Sequence, residues 1–293
     1  SLAAGIAAGG ARPVDVGVIP TSGLAIITAR DVTVVRSVAV TASHNPAEYN
    51  GLKVIGRNGR KVADDEGREL EGEIGRLLAA GASASTLGAA GGGVQTGVAP
   101  SGDGAEYRLR YVEVLATAAA DVAARGPVNL RVVVDAAHGA GGPYALDALT
   151  RTGAAVVPFA MGNGSINDSV GATAPAALAR EVLRIGADLG VALDGDADRC
   201  VAVDEKGAVV DGDVLIGLIA LDRRARGLVG SDRVVATVLT NSGVERALAH
   251  AGISLTRTPV GDRHIAEALD GASEGFGRSE EHTSELQSPY VIS

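Results

Sequence analysis

Short valine-rich runs alternate with amphipathic stretches over most of this chain. Residues 14–18 and 32–40 each read as a buried strand, being short, β-branched and bounded by turn residues. Between them Pro20-Thr21-Ser22 carries a helix start, with Ser or Thr as N-cap. Asn50-Gly51 and Asn58-Gly59 mark turns on either side of the apolar segment 52–55. Residues 64–78 set Leu70, Ile74, Leu77 and Leu78 on one face of a charged amphipathic helix. Residues 80–104 are a Gly/Ala/Ser run without period, which reads as a loop or inter-domain linker.

A helix over 106–124 stops at Gly126-Pro127, and strand and helix patterns then alternate. Strands are expected at 130–135, 155–159 and 188–193, with helices at 142–152 and 175–185 between them. A hairpin follows, its strands 200–204 and 208–210 joined by Glu205-Lys206-Gly207. The alternation resumes with helices at 213–226 and 243–251 and strands at 234–239 and 253–258. This is the pattern of βαβ units around largely parallel sheets, so the fold class is α/β. Recurrence of the unit points to duplicated domains rather than one large sheet.

At 293 residues the chain is long enough for two or three domains. Aromatics supply only 2% and Trp is absent, so the cores must be aliphatic, with close-set backbone. A net charge of -9 argues against broad nucleic-acid binding, which needs a basic face. The lone Cys200 excludes an internal disulfide and fits a reducing cytoplasm. There is no signal-peptide pattern and no apolar run of membrane-spanning length, so no membrane partner is expected. The opening Ser1-Leu2-Ala3-Ala4 lacks an initiator Met and reads as a chain entered in mid-domain.

Two motifs carry chemistry. Asp194-Gly195-Asp196-Ala197-Asp198-Arg199 puts three carboxylates at alternate positions directly after an apolar strand. Such crowding is repulsive unless a cation sits among them, although a solvated acidic turn is the plain alternative. A calcium EF-hand would want Gly where Arg199 stands, and helices rather than strands on its flanks. A phosphatase with an aspartyl nucleophile would want a hydroxyl residue where Ala197 and Asp198 stand. Magnesium fits best, few protein oxygens being needed and phosphate or water supplying the rest. Arg199 would then face a phosphate with planar, bidentate donors.

The second motif is Thr41-Ala42-Ser43-His44-Asn45-Pro46, a serine in a tight, Pro-terminated turn. A turn or cap serine is the plain alternative. His44 suggests a Ser–His pair, but adjacent side chains point apart, which disfavours a hydrolase dyad. Lys53 could return over the turn as a cation or proton shuttle, or be a surface lysine. His138 belongs to a loop at a strand end, and His250 is most simply a surface residue. Gly261-Asp262-Arg263-His264 forms a polar loop in which Arg263 could meet a phosphate or sugar hydroxyl.

With these residues together, the chain resembles the phosphohexomutase superfamily, and within it the bacterial phosphoglucosamine branch. The resemblance lies in the serine motif, Asn50-Gly51-Leu52-Lys53, the aspartate motif and Gly261-Asp262-Arg263-His264, in that order. Residues 167–173, Asn-Asp-Ser-Val-Gly-Ala-Thr, are similar to the second domain of that branch. The resemblance implies tandem three-layer α/β/α domains with mixed, largely parallel sheets. Their expected bounds are 1–104, 105–207 and a partial third domain at 208–277, the fourth being absent. It implies Ser43 as the phosphoserine, which also contacts one Mg2+ ion held by Asp194, Asp196 and Asp198. Lys53, Arg199 and His44 would serve catalysis, and Asn45, Gly261, Asp262 and Arg263 substrate binding.

The implied reaction interconverts glucosamine 6-phosphate and glucosamine 1-phosphate, toward UDP-N-acetylglucosamine and cell-wall precursors. A hexose 1,6-bisphosphate would be intermediate and activator, and the partner a hexosamine or hexose phosphate, on a monomer or homodimer. Phosphomannomutase or phosphoglucomutase activity is the near alternative. A silent fragment that binds metal or sugar phosphate is the alternative of another class. The sequence departs from the family in lacking its first strand and Arg-bearing phosphate loop. The expected Gly-Glu-x-Ser-Gly-His sugar loop is replaced by Arg278-Ser279-Glu280-Glu281-His282-Thr283. From 278 to 293 the α/β patterning is lost, and a non-native tail outside the fold is expected.

Overall fold

The computed structural model describes residues 2–81, 104–228, 230, 232–270, 276–281 and 283–285. Most of the expected linker therefore lies outside the described residues. The first unit contains helices α1 (Leu2–Ala8) and α2 (Thr21–Arg30), strands β1 (Arg36–Thr41) and β2 (Gly51–Gly56), and helix α3 (Asp64–Ala79). β1 and β2 pair antiparallel from Arg36↔Gly56 to Thr41↔Gly51, which brings the serine turn and Lys53 to the same end of the hairpin.

Two expectations for this unit are corrected. Residues 14–18 are irregular rather than a strand. Gly17 adopts φ +70 and its N–H donates to Asp15 Oδ1 at 2.7 Å, a local turn that breaks extension. The carbonyls of Val16 and Val18 instead accept from the side chains of Arg108 and Tyr144. The strand expected at 32–40 starts only at Arg36, because Asp31 Oδ1 accepts from both N and Oγ1 of Thr33 and turns the chain first. Helix α3 forms as expected, but Leu70, Ile74 and Leu78 on its apolar face are exposed.

The second unit opens with α4 (Gly104–Ala123) and builds a five-stranded sheet. β3 (Arg131–Asp135), β4 (Ala155–Phe159) and β5 (Leu189–Leu193) are parallel, in the order β4-β3-β5. β6 (Cys200–Asp204) and β7 (Val209–Val210) continue the sheet antiparallel. Successive residues of a strand face opposite ways. Val133 accordingly packs with Leu178 and Val182 of α6 (Ala176–Ile185), while Val132 and Val134 meet Leu146 and Leu149 of α5 (Gly142–Arg151). Helices thus cover both faces, which is why these strands read as continuous apolar runs.

The third unit repeats the device. β8 (Arg233–Thr237) and β9 (Ser254–Thr258) pair parallel, and β10 (Phe276–Glu281) joins the other side of β8, also parallel. Val234 packs with Ile216 of α7 (Gly212–Ala225) and Leu248 of α8 (Ser242–His250), and Val235 with Ile265 of α9 (Asp262–Asp270). β11 (Thr283–Glu285) pairs antiparallel with β10. The strand runs through the boundary expected at residue 277, and Arg278 is only 5% exposed, donating to Asp213 Oδ1 at 2.8 Å. That corrects the expectation of an unpaired tail for residues 278–281; residues 286–293 lie outside the described residues. Among the described residues no helix is long and apolar enough to cross a membrane.

Candidate active site

The serine turn is fixed by its own hydrogen bonds. Ser43 N donates to Thr41 Oγ1 at 2.8 Å, and Asn45 N to the carbonyl of Ala42 at 2.9 Å. Ser43 itself holds φ 53, a left-handed conformation that few non-glycine residues adopt. Lys53 on β2 reaches back over the turn, its Nζ donating to Ser43 Oγ at 3.2 Å. The same ammonium lies 2.7 Å from Oδ2 of both Asp196 and Asp198.

The carboxylate loop leaves β5 at Leu193 and returns into β6 at Cys200. It is buried, with Asp194, Asp196 and Asp198 exposed by 0%, 4% and 2%. Each carboxylate divides its two oxygens in the same way. Asp194 Oδ1 accepts the N–H groups of Asp198 and Arg199 at 3.1 and 3.2 Å. Asp196 Oδ2 accepts from Lys53 and from Thr21 Oγ1, the latter at 2.6 Å, and Asp198 Oδ2 accepts from Lys53. The other oxygens, Asp194 Oδ2, Asp196 Oδ1 and Asp198 Oδ1, find no hydrogen-bond donor among the described residues. Buried anionic oxygens without donors are costly, and a divalent cation is the partner that hard oxygens take. One ligand atom from each residue lies within 4.8 Å of the others. The donor set therefore fits one magnesium ion.

The electrostatics follow from burial and crowding. Burial, then the charges of Asp198 and Asp196, hold the Asp194 carboxyl well above the usual aspartate range. Burial would also raise Asp196, but the Lys53 ammonium outweighs it and the group stays low. Burial alone would lower Lys53, and Asp198 and Asp196 raise it instead, so Lys53 is an ammonium at neutral pH. Burial, then the positive charge of Arg199, lowers His44. Cys200 at the strand start is pushed up to about 11, by burial first and then by Asp194.

Of the residues expected from sequence, Ser43, Lys53 and the three aspartates converge on one point. Arg199 is 3% exposed, and its backbone N–H helps to hold Asp194. His44 and Asn45 flank the cluster within the serine turn. Gly261, at φ 125, accepts from the N–H of His264 at the start of α9. No hydrogen bond or ion pair among the described residues joins Gly261 or His264 to the cluster, and the side chains of Asp262 and Arg263 lie outside the described residues.

Three participants were not legible as such. Thr21, expected as a possible cap, makes no capping bond. Its hydroxyl goes to Asp196 and its N–H to the Asp196 carbonyl at 3.0 Å, so the N-terminus of α2 faces the loop. Asp135, fully buried at the end of β3, accepts from the N–H groups of Ala137 and Gly171 and shapes the adjoining loops. Asn167 donates to the carbonyls of Ser43 and Asn45 and accepts from Gly195 N. No local pattern could have found its bonds to Ser43 and Asn45, since those partners lie in another domain.

The phosphoglucomutase/phosphomannomutase alpha/beta/alpha domains I, II and III match residues 1–79, 109–207 and 211–281. The phosphoglucosamine mutase of Zymomonas mobilis is 41% identical over 273 residues, covering 92% of this chain and 58% of that protein. That of Mycolicibacterium vanbaalenii is 40% identical over 272 residues, 92% of this chain and 57% of its own length. The chain therefore spans less than two thirds of the curated relatives it matches.

Among solved structures, a phosphoglucomutase/phosphomannomutase family protein of Burkholderia thailandensis superposes with a TM-score of 0.70 at 21% identity, covering 95% of this chain and 60% of that one. The N-acetylphosphoglucosamine mutase of Aspergillus fumigatus, solved with GlcNAc-6P and magnesium, gives 0.57 at 22% identity, covering 91% of this chain and 64% of its own. Three consecutive domain matches over most of the sequence, on sheets of matching architecture, place this chain in the phosphoglucomutase/phosphomannomutase family.

Proposed function

We propose that this chain carries the phosphoryl-donor half of a mutase that interconverts glucosamine 6-phosphate and glucosamine 1-phosphate. The observation that carries the reading is the convergence of Ser43 Oγ, the Lys53 ammonium and three buried carboxylates, each with one oxygen left for a cation. The curated relatives at about 40% identity are phosphoglucosamine mutases, which favours the hexosamine over glucose or mannose.

In this reading Ser43 holds the phosphoryl group between two transfers. The bond from Ser43 Oγ to phosphorus breaks as the sugar hydroxyl forms its own, giving a 1,6-bisphosphate. The proton lost by the sugar hydroxyl balances the one gained by Ser43. As an ammonium already bonded to that oxygen, Lys53 acts as hydrogen-bond donor and charge partner to the departing serine oxygenate rather than as a base. The bisphosphate then reorients and returns its other phosphate to Ser43. Asp194, Asp196 and Asp198 would hold the magnesium ion, which supplies divalent charge against the phosphate oxygens. Arg263, Asp262, Gly261 and Asn45 are assigned to substrate binding, and Arg199 and His44 to the phosphate side.

Incubation of the chain with magnesium and glucose 1,6-bisphosphate, followed by intact-mass and peptide analysis, tests the donor half. Phosphate is expected on Ser43 and absent from Ser43→Ala. Turnover of glucosamine 6-phosphate against glucose and mannose phosphates then tests the sugar. A chain that binds magnesium but never acquires phosphate is a silent binding fragment, and the mutase reading fails for it.

A further inference from the structure

We infer that Asn167 is a positioning residue that locks the serine turn of the first domain onto the carboxylate loop of the second. This rests on the phosphoserine reading above. Asn167 lies in the loop between β4 and α6 and contacts both loops without belonging to either. Its Nδ2 donates to the carbonyl oxygens of Ser43 at 2.7 Å and of Asn45 at 3.0 Å. Its Oδ1 accepts from the N–H of Gly195, between the first two aspartates, at 2.9 Å. Two carbonyls require the amide nitrogen and one N–H requires the amide oxygen, so a single orientation of the group satisfies all three.

The surroundings hold this amide in place. Asn167 adopts φ 62, a left-handed conformation that Asn tolerates better than most residues. Its own N–H donates to the carbonyl of Ala137 at 3.1 Å, and the N–H of Ala137 is tied to the buried Asp135 at 3.0 Å. Gly195 permits the approach, because a Cβ there would stand 2.8 Å from the Ser43 carbonyl and 3.0 Å from Asn167 Nδ2. The junction is two backbones at close range with one side-chain amide bridging them.

Neutrality gives the contact its use. Lys53 and Thr21 also link the domains, but they do so through carboxylates whose surroundings change as phosphate and cation come and go. The amide of Asn167 bonds only backbone groups, so no ionisable group takes part in the contact. It keeps the serine oxygen in register with the aspartates in both the loaded and the unloaded state. Drift of a reacting group by about 1 Å costs about a hundredfold in rate.

Two variants test this in the chain as it stands. Asn167→Asp keeps the shape, the backbone conformation and the bond from Gly195, but sets an oxygen against two carbonyls. Asn167→Gly frees the backbone of strain and removes the amide. Both should slow phosphate uptake by Ser43 from glucose 1,6-bisphosphate about a hundredfold. Both should also speed amide hydrogen exchange in residues 41–46 about tenfold, as loss of these bonds predicts, with β3 unchanged. Mn2+ affinity, read by electron paramagnetic resonance, should not fall in Asn167→Asp, whose added negative charge favours the cation. Wild-type exchange in the turn, wild-type uptake in Asn167→Asp, or a parallel loss of its Mn2+ affinity each overturns the positioning role. If the unmodified chain takes up no phosphate while exchange quickens in both variants, the phosphoserine reading fails and the inter-domain lock stands.

Discussion

The Lys53 ammonium stands 2.7 Å from Oδ2 of Asp198, with the two side chains 19% and 3% exposed. A buried ion pair that loses one member leaves its partner uncompensated, at a cost of about 3 kcal/mol. Lys53→Met should therefore destabilise the metal-free chain strongly. Magnesium should recover part of the loss, so its effect on Tm should be larger in the variant than in the parent chain. Equal metal-free melting of the two proteins would show that the ammonium offsets little of the carboxylate repulsion.

Asp194 makes magnesium binding pH-dependent in a definite direction. Its carboxyl is raised well above 3.8 by burial and by its two neighbours. A raised group contributes stability fully below its unfolded value and loses that contribution as pH rises through the folded value. The metal-free fold is thus penalised at higher pH, where the cation also finds its ligand deprotonated. The Tm gain on adding magnesium should be greater at about pH 8 than at about pH 5. Asp194→Asn should stabilise the metal-free chain at the higher pH and abolish most of the magnesium response. Calorimetric titration across pH checks both.

Thr21 offers a milder perturbation of the same loop. Thr21→Val preserves shape and removes the hydroxyl that donates to Asp196 Oδ2 at 2.6 Å. Hydrogen bonds to charged groups are worth about 1.5–3 kcal/mol, and a loss near the lower figure is expected because Lys53 still serves that oxygen. Denaturant unfolding should report a lower midpoint with an unchanged slope. A midpoint equal to that of the parent would mean that water replaces the hydroxyl at no cost.

Stopping the chain at residue 277 should also destabilise it. Arg278 is the last of the three β10 residues paired with β8, and its guanidinium meets Asp213, itself 15% exposed. Truncation removes a buried charge and leaves its partner alone, so a fall in Tm of several degrees, about 2–4 °C per kcal/mol, is expected. An unchanged Tm would show that the third sheet is complete without this residue.

Local signals made much of the molecule legible. Parallel strands covered on both faces must be apolar along their whole length, so β3, β5 and β8 stood out as short apolar runs, and each lies within a residue or two of its expected position. The aspartate motif was equally plain, because its carboxylates come from one loop and need only short-range spacing. Residues 14–18 carry the same apolar look, yet their backbone is claimed by Arg108 and Tyr144 from another domain. The strand through Arg278 was missed for the converse reason: its polar residues gave no apolar alternation, and parallel pairing to β8 decided its conformation.

By itself the sequence determined the α/β class, the candidate nucleophile and the carboxylates, since each is written in residue type and near-neighbour spacing. Tertiary structure decided which of them act together. Thr21 meets Asp196 across 175 residues and Asn167 meets Ser43 across 124, distances over which no periodicity carries information. It also decided that Lys53 is a charged partner of two aspartates rather than a surface lysine, because burial and proximity set a proton's affinity and neither is encoded locally.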